Sequence, residues 1–200
     1  MAIRPRSSLF DEGKRQVVKN NEAGGHLVLG DFNQTVNGSE KRASENVKML
    51  VQSLEKEMEQ GEKRSEWIDE LQSFEEPFLV DEHVGLESKL TIAGLKTRRM
   101  YAFHQKEKFA KFLEKYALYS SAQTLLSICL HKVFTDFETY IHPACGNVDQ
   151  DAIHQLIHEK IVSEIVAEYS YGAFSLNHSL VWGMTYWLAE RCYVRWHEVA

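Results

Sequence analysis

Two histidines in "HQLIHE", His154 and His158, stand four residues apart, a spacing that brings both imidazoles to one face of a helix, where they could share a divalent cation. A zinc-protease helix also needs a glutamate directly after the first histidine as general base, and Gln155 occupies that place. Ile153, Leu156, Ile157 and Ile161 surround the pair, which fits histidines at the boundary of a buried helix face better than a ligand set. In "HPACGN", Cys145 follows His142 by three residues, and a thiolate beside an imidazole would be a nucleophile. Such pairs normally converge from distant segments, so adjacency is a poor sign of one. No phosphate-binding glycine loop, dinucleotide fingerprint, nucleophile elbow or kinase signature occurs, so no catalytic residue, metal ligand or cofactor is assigned. A small metal-dependent enzyme or nuclease using the His154/His158 pair is kept as the alternative.

Electrostatics offers a third kind of chemistry. Residues 96–116 carry seven Lys or Arg against Glu107 and Glu114, whereas residues 134–168 carry seven acids against Lys160. Two solvated helix faces that attract one another explain this best. Clustered cations are also what phosphate binding requires, so Lys106, Lys108, Lys111 and Lys115 are candidate nucleic-acid contacts, indirect or weak. The formal net charge of −6 argues against a basic footprint over the whole chain.

The elements that would position these residues are mostly helices. Residues 1–38 read as a polar lead with one short strand or hairpin, from alternating Leu27, Leu29, Phe32 and Val36 and the turn signal Asn37-Gly38. Residues 39–76 read as an amphipathic, coiled-coil-like helix capped by Ser39, with Val47, Leu50, Leu54 and Met58 in a narrow seam that resumes after Gly61 with Trp67, Ile68, Leu71 and Phe74. That seam suits a bundle helix or a homo-oligomer formed through residues 43–74. Residues 84–200 form the helical C-terminal domain. One helix carries Met100, Phe103, Phe109, Leu113 and Tyr116, and a second runs from Ala122 to His142-Pro143. A third, capped by Asp149 or Asp151, carries Ile153 to Ile165, and the last starts near Asn177. The fold class is therefore mostly α, a helical bundle with a short N-terminal strand or hairpin and a coiled-coil-like helix.

Length and a hydrophobic fraction of 44% allow one substantial core. Cys129, Cys145 and Cys192 are odd in number, widely spaced and without a C-x-x-C pair, so neither a disulfide framework nor a thiolate zinc site is indicated, and a reducing cytoplasm is the simplest setting. The N-terminal stretch has no apolar signal core and nowhere do about 18 apolar residues run together, so no membrane association is expected.

The segment "LVWGMTYWLAERCYVRWHEV", 180–199, concentrates aromatic residues. Leu180, Met184, Trp187, Leu188 and Cys192 fall on one helix face, and Trp182, Tyr186 and Tyr193 largely on the other. A helix apolar all round must be covered on every side, and core packing within the chain is the larger part of the explanation. Trp, Tyr and Arg also dominate binding hot spots, so Trp182, Trp187, Arg191, Arg195 and Trp196 are candidate partner-binding residues, with Leu50 and Leu54 in the seam.

Three stretches, "LESKLTIAGL" (86–95), "KEKFAKFLEKYALYSSAQTLLSICLHKVFTDFETYIHP" (106–143) and "GMTYWLAERCYVRW" (183–196), resemble the C-terminal domain of effector proteins from bacterial ABC-three-component systems, the defence operons related to Lamassu. The last is the most specific, with Gly183, Met184, Tyr186, Leu188, Cys192 and Trp196 in the family's positions. Tyr193 replaces an expected His, and Glu190-Arg191 replaces a more turn-like pair. Upstream, "NEAGGHLVLGDFNQTV" is similar to the Gly-Asp-rich lead of such domains, with Gly30-Asp31 retained and His26 where an acid is usual. The resemblance implies docking to an SMC-like ABC ATPase and a middle component, while a separate N-terminal effector, often a nuclease, does the damage. With about 80 residues ahead of the domain, the expectation here is a non-catalytic adaptor or regulatory subunit of an anti-phage system.

Overall fold

The computed structural model describes residues 43–78 and 85–196, and the strand or hairpin expected between residues 27 and 38, with the Ser39 cap, lies outside them. Among the described residues the regular structure is helical; extended pairing is limited to one bridge between Tyr171 and Phe174. Helix α1 spans Glu45–Gln60 and is capped by Ser44, whose side chain accepts from the Val47 amide at 3.3 Å. Gly61 ends it with φ +68°. The chain then turns, and only the short α2, Asp69–Gln72, follows, so residues 39–76 do not form one continuous rod.

The seam of α1 is covered within the same chain. Val47, Val51 and Leu54 are buried, Leu50 and Met58 partly so, and the helix packs on α5, Ser120–Asp136. At the α5 N-terminus, where helix amides lack intrahelical acceptors, Ser121 donates its amide (3.2 Å) and its hydroxyl (2.6 Å) to Glu57 of α1. Gln123 makes a second tie: its side-chain oxygen accepts from the Ile68 amide at 2.8 Å, and its amide nitrogen donates to the carbonyls of Glu66 and Ala117.

Next come α3, Leu86–Ile92, and α4, Arg99–Tyr116. Helix α5 runs into a π-helical turn, Phe137–Ile141, and a 3-10 turn at His142–Ala144 that contains Pro143. Asp149 caps α6, Gln150–Ile157, by accepting from the Ala152 amide at 2.8 Å. A second π-helical turn, His158–Val162, leads to α7, Ser163–Tyr169. Asn177 caps α8, His178–Glu190. Met100, expected on the apolar face of α4, is 81% exposed; the buried row is Ala102, Gln105, Phe109, Leu113 and Tyr116.

Helices α4 and α8 make the most extensive pairing, and Gly183 explains how they approach. A Cβ there would lie 2.4 Å from the Gln105 carbonyl oxygen and 2.6 Å from the Phe109 Cβ. Only a residue without a side chain fits that crossing. Because every position from Val181 to Ala189 is buried, α8 is the central helix of the bundle, as an all-round apolar sequence requires.

Candidate functional site

The three tryptophans of the C-terminal segment, open in the sequence to either core packing or a partner-facing edge, are core residues: Trp182 and Trp187 are 3% exposed and Trp196 5%. Their surface is spent on neighbours in the chain. Phe109 meets Trp187 edge-on with centroids 5.7 Å apart, Phe137 meets Trp196 edge-on at 5.8 Å, and His154 lies flat on Trp182 at 4.2 Å. What reaches solvent is the rim. The Arg191 guanidinium sits 3.6 Å above the Trp187 ring, and burial lowers the pKa of Arg191. Arg191 and Arg195 stay half-buried, and among the described residues neither Nε atom has a hydrogen-bond partner.

The backbone turns sharply here. After α8 the Cys192 amide donates to the Ala189 carbonyl and the Tyr193 amide to that of Leu188, which closes the helix with Cys192 in the left-handed region at φ +66°. Glycine usually takes that position; here the buried Cys192 side chain holds it instead. The turn aims Tyr193 across the surface, where its hydroxyl donates to the Ser73 carbonyl at 2.6 Å and its ring lies 5.7 Å from that of Phe78. Phe78 is 51% exposed, and its amide donates to the Arg191 carbonyl at 2.9 Å. Phe78, Tyr193 and Arg191 therefore form an arginine-aromatic edge over a floor of buried tryptophan, with Phe74 and Phe134 packed against Tyr193.

His154 and His158 sit in separate stacks. His154 faces Trp182, whereas the His158 ring lies 5.3 Å from that of His178. His154 Nε2 is buried without a partner among the described residues, in a narrow pocket lined by Arg98, Gln150, Trp182, Tyr186 and Trp196. The pocket leaves about 10 Å³, near the space of one water. Burial, then the charge of Arg98 and the neighbouring His158, pushes the His154 pKa down to about 4, so the ring is neutral at pH 7. Among the described residues no group of three or more His, Cys, Asp or Glu could hold a metal ion. Cys145 and His142 also face different partners: the Cys145 thiol is buried and donates to the Ile141 carbonyl at 3.4 Å, while His142 Nδ1 lies 3.7 Å from Glu138.

The lysines of α4 divide by face. Lys106 is turned inward, 3.6 Å from Glu190 and 4.8 Å over the Phe103 ring, whereas Lys108, Lys111 and Lys115 are exposed. Glu190 also accepts from the Leu86 amide at 2.7 Å, so one carboxylate caps α3 and holds α4. Buried Lys89 donates to the Ala189 carbonyl at 2.7 Å, near the C-terminal end of α8. Neither anchor was singled out from the sequence. Lys89 had a signal, since it shares the apolar spacing of Leu86, Leu90 and Ala93; Glu190 had none, because its partners lie about a hundred residues away.

A family profile described as C-terminal domain 9 of the ABC-three component (ABC-3C) systems matches residues 85–196, more than half of the chain. No curated protein and no solved structure matches.

Proposed function

This chain belongs to the C-terminal domain 9 family of the ABC-three component systems, and from that membership we propose that it is a non-catalytic adaptor in an anti-phage defence system of that kind. Its task is to dock an SMC-like ABC ATPase and the middle component. The family match carries this reading. The arginine-aromatic edge of Phe78, Arg191 and Tyr193 supports it, because such side chains over a rigid buried floor are the usual composition of a binding hot spot. Among the described residues no helix is long and apolar enough to cross a membrane.

The docking edge is tested by capture of the co-expressed ATPase on the tagged chain. Arg191→Glu combined with Phe78→Ala is expected to weaken capture at least about tenfold, the scale of a hot-spot loss. Unchanged capture by a folded double variant would contradict the edge.

A further inference from the structure

The solvent face of α4 carries a lysine row that forms no ion pair among the described residues. Lys108, Lys111 and Lys115 are all exposed and, at about 100° per residue, fall within about 60° of arc. Glu107 and Glu114 keep to one flank. Among the described residues Lys108, Lys111 and Lys115 meet no carboxylate within ion-pair distance, unlike Lys106, Arg98 and Arg99, which meet Glu190, Asp151 and Glu87. Two of the three lysines are partly oriented: Lys108 Nζ donates to Ser179 Oγ at 3.4 Å, and Lys115 Nζ lies 4.9 Å from the Tyr116 ring centroid. The opposite face of α4 is locked against α8 at Gly183, so the row is displayed on a rigid element.

We infer that the Lys108–Lys111–Lys115 row binds the phosphate backbone of duplex DNA without reading its sequence. From Lys108 to Lys115 the helix rises about 10 Å, a length over which one strand of a duplex presents about three phosphates. A protein partner fits this face less well. Protein interfaces centre on aromatic, Met and Arg anchors and are depleted in lysine, and no aromatic or Met side chain interrupts the row between Lys108 and Lys115 on this face. Lysine is a compact, strongly hydrated point charge on a flexible stem, suited to phosphate and indifferent to base identity.

The test is fluorescence anisotropy of a labelled mixed-sequence duplex with the full chain, titrated between about 50 and about 200 mM salt. Three phosphate contacts contribute a slope of about −2.7 in log affinity against log salt, a loss of roughly 40-fold over that range. The variant Lys108→Ala/Lys111→Ala/Lys115→Ala is expected to lose that contribution with an unchanged thermal melt, and the triple Lys→Arg variant to retain it. An unchanged slope in the Ala variant overturns the inference, as does absence of binding at the lowest salt. Tighter, equally lysine-dependent binding of polyglutamate overturns it too, in favour of an acidic protein segment.

Discussion

His154 is a titratable side chain held neutral inside an aromatic stack, and its protonation opposes the fold. Its pKa is about 4 folded against the ordinary 6.5, so the unfolded chain binds more protons between those values. The stability it contributes is fully present above pH 6.5 and is lost as the pH falls toward 4. The urea midpoint should therefore drop between pH 7 and pH 4.5 by more in the native chain than in His154→Gln, and an NMR titration should place the imidazole near pH 4. Equal pH slopes for the two proteins would contradict the assignment. At Tyr193 the structure shows what a tyrosine does where the family resemblance leads one to expect histidine: its hydroxyl reaches Ser73. Tyr193→Phe removes the hydroxyl that donates to the Ser73 carbonyl, with that of Glu76 at 3.3 Å, and should cost about 1 kcal/mol by denaturant melt. No measurable loss would mean that the bond to Ser73 contributes nothing in solution.

Helix packing sets the next scale. Gly183→Ala places a methyl group against the α4 backbone, and such overpacking costs about 1–3 kcal/mol; the value should fall at the upper end, since backbone cannot swing aside. A melt unchanged from the native protein would show that the two helices can part freely. Leu54→Ala, on the buried row of α1, should cost about 2–5 kcal/mol, with a midpoint independent of protein concentration because the row faces α5 of its own chain. A concentration-dependent midpoint would instead favour self-association through residues 43–74. Both readings of α1 were open in the sequence, since a seam spaced by fours and threes serves either an intramolecular or an intermolecular partner. Caps and stops read more directly. Asp149 and Asn177 are local signals, and their hydrogen bonds stay within three residues. Glu57, Gln123 and Glu190 act across 64, 55 and 104 residues, distances over which spacing carries no information.

For the whole molecule, the family domain at residues 85–196 is not bare, because α1 and α2 lie on α5 and the chain after α8 is tied back to Ser73 and Glu76. The aromatic richness of residues 180–196 was legible in the sequence, as was the need to cover a helix apolar all round, but not which side chains would be left at the rim. Trp182 and Trp187 turned inward because α8 is covered on every side, and Trp196, beyond α8, packs against Phe137, which left the arginines, Tyr193 and Phe78 at the rim. In the proposed adaptor role, a preformed edge would keep the ordering cost of docking small. The proposed role requires physical association with an SMC-like ABC ATPase. The direct measurement is light scattering of the size-exclusion peak obtained when the full chain and an SMC-like ABC ATPase of an ABC-three component system are expressed together. The account predicts one peak whose mass contains both chains; separate peaks at micromolar concentration would contradict it.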